Sequence, residues 1–270
     1  MTVRLPSPIG KGISDHWVQI EESCRRVRVV FGAETIADSK RVLLLREADC
    51  LPVYYFPKRD VKMDRLRATE HRDRCPHKGE AAYYTVVSAA HVAERGAWNY
   101  TDPPAQCVEL KDYISFVWNQ MDAWYEEDEE IFVHPRDPYK RVDVLQSSRH
   151  IRALVGGEEV ADTGRPRLLF ETNHPVRYYF PPEDVRTELL IPSPTITRCP
   201  YKGVASYWSV RIGERIFPDL VWSYLDPIPE CPKVRALFCF FQEREPEIYV
   251  DGERLPTPRT KWSRPDPVRP

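Results

Sequence analysis

Two thirteen-residue words hold the residues best suited to chemistry. RCPHKGEAAYYTV runs from Arg74 to Val86, and RCPYKGVASYWSV runs from Arg198 to Val210, 124 residues later. Each places a cysteine (Cys75, Cys199) and a lysine (Lys78, Lys202) on a Cys-Pro-x-Lys-Gly connection that leads into strand-like sequence. Proline fixes one backbone torsion, and glycine permits a tight or left-handed turn. The pair therefore sits at a strand's mouth, a common place for site residues. A lysine among aromatic rings and partly dry is expected to have a lowered pKa. It can then act as a base, form a Schiff base or bind an anion. A cationic lysine beside Cys75 or Cys199 also favours a thiolate. Glu47 and Glu171 lie upstream of the two words, where each can join its lysine as a base–acid pair or as an ion pair. The competing reading is structural: a turn with a packed thiol and a lysine covering aromatic surface. His77 becomes Tyr201 in the second word, so a Cys–His dyad is not repeated.

Rings accompany each word. Tyr54-Tyr55 and Tyr178-Tyr179 precede it, Tyr83-Tyr84 and Tyr207-Trp208 lie within it, and Trp98-x-Tyr100 and Trp222-x-Tyr224 follow it. Such a set can wall a ligand pocket or simply form the core of a small β domain. For metal, Cys50, Cys75 and Cys107, or His174, Cys199 and Cys231, offer three soft ligands per copy. Three ligands with an open position suit catalytic zinc. Against this, CxxC is missing and the match of Cys50 to His174 depends on an uncertain register. No cofactor is expected, and zinc is kept as an alternative. EEDEE at 126–130 reads as a solvated loop, and SSRH at 147–150 as a strand entry. Phosphate-loop, HExxH and GxSxG motifs are lacking.

The elements that must position these residues are repeated too. IADS at 36–39 matches VADT at 160–163. The two YYFP segments, Asp60 with Asp184, and WNYTDP at 98–103 with WSYLDP at 222–227 all match at the same offset of 124. EIFV at 130–133 and EIYV at 247–250 match at a shorter offset, which predicts that the second copy has lost seven residues near its end. Val27, Val29 and Phe31 alternate with arginines before a turn at Gly32. Ile151, Ala153 and Val155 alternate before the hairpin signal Gly156-Gly157. FCFF at 238–241 reads as a core strand. SAAHVAERG at 88–96 is the best helix candidate, and 134–148 reads as the linker. The fold class is all-β: a first domain over 15–136, a second over 140–262, and extended tails at 1–14 and 263–270.

Composition bounds the rest. With 42% hydrophobic and 30% charged residues the chain reads as soluble and globular. A net charge of −2 gives no pull toward nucleic acid or an acidic membrane, and no apolar run approaches a membrane span. The 26 prolines favour short strands and turns. A cytoplasmic chain is expected, with its seven cysteines as thiols.

These words resemble the domain of unknown function numbered 427. CPYKG-x-A-x-YW, RYYFP-x-x-DV, W-x-Y-x-x-P and the linker HPRDPYKRVDVLQSSRHI carry the resemblance over about residues 15–255. It implies two tandem β-tent-like domains, whose structural relatives often hold zinc through CxxC pairs that this chain lacks. The family's recurring residues fall on Glu171, Arg177, Tyr178, Tyr179, Asp184, Thr197, Cys199, Lys202, Tyr207, Trp208, Trp222 and Tyr224. The first copy departs from them with Val53 and Tyr84.

The expectation is a small-molecule pocket in the second domain. Lys202, Cys199 and Glu171 would do acid–base or nucleophilic chemistry there, among Arg177 and the rings. Glu47, Tyr54, Tyr55, Cys75, Lys78, Tyr83, Tyr84, Trp98 and Tyr100 are the first-copy equivalents. The rivals are a scaffold for a protein or peptide, a homodimer being compatible with the repeat, and a structural zinc protein.

Overall fold

The computed structural model describes residues 16–89, 91–260 and 262–263. Apart from Ser263, the tails expected at 1–14 and 263–270 lie outside the described residues. The chain divides between Pro135 and Arg136 into two compact units, each described by itself.

In the first unit the strands are β1 (Val18–Glu22), β2 (Val27–Phe31), β3 (Glu34–Ser39), β4 (Leu43–Glu47), β5 (Val53–Pro57), β6 (Leu66–Cys75), β7 (Gly79–Ser88), β8 (His91–Asp102), β9 (Tyr113–Phe116), β10 (Ala123–Glu126) and β11 (Glu129–Ile131). The second unit has β12 (Val142–Gln146), β13 (Ile151–Val155), β14 (Glu158–Thr163), β15 (Arg167–Glu171), β16 (Arg177–Phe180), β17 (Leu190–Cys199), β18 (Gly203–Ile212), β19 (Arg215–Ser223), β20 (Phe238–Phe240), β21 (Glu247–Val250) and β22 (Glu253–Arg254). Each unit pairs a seven-stranded antiparallel sheet, ordered β1-β4-β5-β9-β8-β7-β6 in the first, with a four-stranded sheet, β11-β10-β2-β3. The second unit repeats both orders strand for strand. The fold is all-β, and its helical pieces are short 3-10 segments.

The alternating residues do what a period of two requires. Val27, Val29 and Phe31 on β2, and Ile151, Ala153 and Val155 on β13, are buried in their cores. Gly156 and Gly157 close the β13–β14 hairpin with φ of 59° and 86°. The IADS/VADT and DV matches also have a structural cause. Ser39 Oγ donates to Asp60 at 2.6 Å and Thr163 Oγ1 donates to Asp184 at 2.7 Å, each tying the strand end to the 3-10 segment after the YYFP strand.

Three expectations are corrected. The described residues of 88–96 form no helix: Ser88 ends β7, and β8 starts at His91, with Val86 opposite Ala93 and Val87 opposite Val92. Val86 and Ala93 are buried while Val92 is exposed, which is strand periodicity in a composition that suits either element. The linker is shorter than 134–148, because Val142–Gln146 is the edge strand β12, paired with β15 and burying Val144. Nor has the second copy lost residues near its end. β10 pairs with β2 through Trp124 opposite Val29, and β21 pairs with β13 through Ile248 opposite Ala153. EIYV therefore takes the place of AWYE at 123–126, at the same offset of 124, and its likeness to EIFV is a coincidence of letters. Pairing register, set by which face is buried, decides the correspondence.

Candidate functional site

The Cys-Pro-x-Lys-Gly turn is held by its glycine. Gly203 has φ of +108°, and a Cβ there would lie 3.2 Å from Ile228 N and 3.4 Å from Asp226 O. Gly79 has φ of +89°, and its Cβ would meet Asp102 O at 2.6 Å. The glycine thus allows both the left-handed turn and the close approach of the segment after Trp-x-Tyr. Ile228 N donates to Lys202 O at 3.1 Å, which locks the two segments together in the second unit.

With the turn fixed, the lysine points back to the end of β4 or β15. Lys202 Nζ donates to Glu171 Oε2 at 2.5 Å, and Lys78 Nζ pairs with Glu47 Oε2. All four side chains are largely buried. The same ion pair is therefore built twice, from residues 31 apart in each unit. Its charge state differs from the sequence expectation. Burial acts to lower the Lys202 pKa, but the Cys199 thiol and the Glu171 carboxylate beside it raise it overall above the usual lysine value. Burial acts to raise Glu171, yet Lys202, with His174 and Lys140, brings its pKa down to about 2. Glu47 is lowered in the same way, its burial outweighed by Lys78 and His16. Lys202 is an ammonium rather than a neutral amine, because a carboxylate in contact outweighs desolvation.

The second oxygen of each carboxylate has a further partner that sequence reasoning missed. Lys140 Nζ lies 2.9 Å from Glu171 Oε1 and 5.2 Å from the centre of the Tyr201 ring. In the first unit His16 Nε2 lies 2.8 Å from Glu47 Oε1, and its ring stacks on His77 at 3.6 Å. His16 and Lys140 are themselves 124 residues apart. That offset was the available signal, hidden because Lys140 stood in presumed linker. His174 lies 3.4 Å from Lys140, with a pKa lowered by burial against the pull of Glu171, so it is neutral at neutral pH. His174 stands where the first unit has Cys50, in the ungapped register: both follow a residue of positive φ, Asp49 or Asn173.

The cysteines differ in burial. Cys107 is buried, its Sγ 3.9 Å from the His77 carbonyl, and Cys231 is buried with its thiol pushed up to about 11 by desolvation. Cys75 and Cys199 are half-buried on the turn. All seven cysteines are thiols. Among the described residues, no three of His, Cys, Asp and Glu gather in a way that could hold a metal ion.

Strand alternation divides the rings. Tyr55, Tyr83, Trp98 and Tyr100 pack on the ion-pair side of the first unit, with Trp98 Nε1 donating to Tyr55 Oη at 3.2 Å. Tyr54 and Tyr84 face the other core, where Tyr54 Oη donates to Glu126 at 2.8 Å. In the second unit Trp222 Nε1 donates to Tyr179 Oη at 3.4 Å. Burial drives the Tyr224 hydroxyl's pKa well up, in the company of Tyr179, Cys199, Tyr207 and Glu171. Tyr207 Oη bonds Thr197 Oγ1 at 2.9 Å. Tyr178 and Trp208 occupy the alternate strand positions, Trp208 edge-on to Phe238 at 5.1 Å. Tyr178, Tyr179, Tyr207, Trp222 and Tyr224 are all buried.

Arg177 is occupied as well. It donates to both oxygens of Glu243 at 2.7 and 2.5 Å, and lies against Trp222 and Trp262. Glu243 also accepts from Thr260 Oγ1 at 2.9 Å. Glu243, Thr260 and Trp262 went unnoticed in the sequence because no counterpart in the first copy points to them.

The family model for a domain of unknown function, DUF427, matches residues 19–127 and again 143–252. The chain belongs to this family. Its two matches fall one in each sheet pair and stop just short of β11 and β22, and a DUF427 unit here means one such pair with its turn and ion pair. No curated protein matches the chain. Among the described residues, no helix is long and apolar enough to cross a membrane.

Proposed function

We propose that the second DUF427 unit binds a small anionic metabolite at the Glu171–Lys202–Lys140 cluster. One observation carries this reading: two ammonium groups share one carboxylate, at 2.5 and 2.9 Å, beside a neutral His174. The cluster has one positive charge in excess, at a strand mouth with partly exposed Lys140, His174 and Tyr201. An incoming carboxylate or phosphate group takes up that charge without stripping Glu171 of its partner. Any catalysis there uses Lys202 as an ammonium, to donate a proton or stabilise developing negative charge, rather than as a base. Arg177 serves the wall through Glu243. The setting is cytoplasmic, where thiols stay reduced.

The test is a calorimetric screen of small carboxylates and phosphates against the whole chain, repeated with Lys140→Met. Lys140 lies outside the most buried pair, so the variant should fold. The expected result is a bound anion whose affinity falls about tenfold or more in the variant. Equal affinity in both proteins removes the reading.

A second reading, homotypic association, is favoured by Ile196, Val204 and Leu225, which are exposed on the β17–β18 hairpin and just after β19. The first unit has Arg72, Glu80 and Thr101 at these places, so the fold does not require them to be apolar. A monomer mass independent of concentration in sedimentation equilibrium rejects this reading.

A further inference from the structure

The two ion pairs differ in what binds the outer carboxylate oxygen. In the second unit it is the ammonium of Lys140. In the first it is His16, at the same offset, on the same Oε1 atom and at nearly the same distance, 2.8 against 2.9 Å. The ring beneath corresponds too: Lys140 lies over Tyr201, and His16 is stacked on His77 at an interplanar angle of 17°. Imidazole is the side chain whose charge changes between pH 5 and 8. With His16 neutral, Lys78 and Glu47 cancel. With His16 protonated, the first cluster gains the same single excess charge as the second.

We propose that the first unit contains a second anion site, switched on by protonation of His16. The proposal rests on the anion reading of the second unit. The groups facing His16 come from three places. Glu47 at the end of β4 contacts its ring, and Lys78 on the turn holds the other oxygen of the same carboxylate. His77, also on the turn, stacks on the ring. Cys50, exposed after β4, lies against Glu47, and partial desolvation together with that carboxylate raises its thiol's pKa. The tandem chain then has one constitutive site and one conditional site for the same chemistry, a small anion bound beside a lysine–glutamate pair.

The experiment uses sulfate, whose charge does not change over the range, and the whole chain labelled with nitrogen-15. Amide shifts of residues 77–79 report the first site and those of 201–203 the second. At pH 8 the second set should move with sulfate while the first stays still. At pH 5.5 both should move, the first with an affinity at least about tenfold above its pH 8 value. His16→Lys should bring the first-site response to pH 8, and His16→Asn should abolish it at pH 5.5. A first-site affinity independent of pH, or unchanged by His16→Asn, overturns the proposal and leaves the second-unit reading standing. A second set that is silent at both pH values overturns the reading itself.

Discussion

The two units share strand order, turn and ion pair, but they surround the pair differently. In the first, position 53 is valine and position 119 is asparagine. In the second, Arg177 and Glu243 stand at the matching positions as a bidentate buried pair. The second unit thus adds charge behind the rings and ties it to Thr260, near the end of the described chain. What both units keep is what the fold demands of a buried ammonium, a carboxylate in contact. What differs is the further charge around it, and ligand preference can differ there without disturbing the sheets.

The sharpest way to break the comparison is to cut the shared pair. Removing one partner of a buried ion pair leaves an uncompensated charge and costs about 3–5 kcal/mol, whereas replacing both by apolar groups is close to neutral. Glu171→Leu alone leaves the buried Lys202 ammonium without its carboxylate and should lower the urea-unfolding free energy of the second unit by about that amount. Glu171→Leu with Lys202→Met should recover most of it. If both proteins lose the same stability, the pair is not coupled as its geometry requires.

Next comes the pair found in the second unit. Arg177→Val installs the first unit's residue but strands Glu243, whose side chain is fully buried. The expected loss is about 3 kcal/mol, reduced to about 1 kcal/mol when Glu243→Asn completes the exchange. Thermal melts of the single and double variants check this. A double variant no better than the single one means that Arg177 acts through Trp222 and Trp262 rather than through Glu243.

A smaller effect follows pH. The Glu171 pKa is about 2 in the fold against an ordinary 4.5. A depressed carboxyl stabilises the folded state fully above its ordinary pKa and loses that contribution as pH falls through the folded one. The Glu171 contribution, of order 1–3 kcal/mol, should be complete above about pH 4.5 and vanish toward pH 2. Denaturant midpoints of the wild type and of Glu171→Gln should therefore converge as pH falls through this window. Parallel curves count against the assigned charge state.

Much of this was legible in the sequence. The offset of 124 identified the repeat, and the alternation of Val27, Val29 and Phe31 identified strands. Glu171 and Lys202 were singled out together because both recur. What failed was whatever depended on distance. Lysine near rings suggested a lowered pKa, and only contact with Glu171 at 2.5 Å reverses that. EIFV and EIYV matched in letters but occupy different places in the pairing register. Tyr178 and Tyr179 suggest one wall in sequence, although adjacent strand residues face opposite ways. Lys140 carries no such signal because its neighbours are turn residues, and a side chain reaching in from a connection leaves no periodic trace.

The smallest change tests the comparison at a single residue. Lys140→His gives the second unit the first unit's outer cation, over Tyr201 in place of His77. If the excess charge of the cluster sets anion affinity, this variant should match the wild type within about threefold at pH 5.5 and fall about tenfold below it at pH 8. Its fold should be unchanged, because Lys140 lies at the edge of the cluster and the Glu171–Lys202 contact survives. A uniform loss at both pH values would mean that the lysine's reach, rather than its charge, is what the site uses. The two units would then differ in shape, and a proton on His16 could not make them alike.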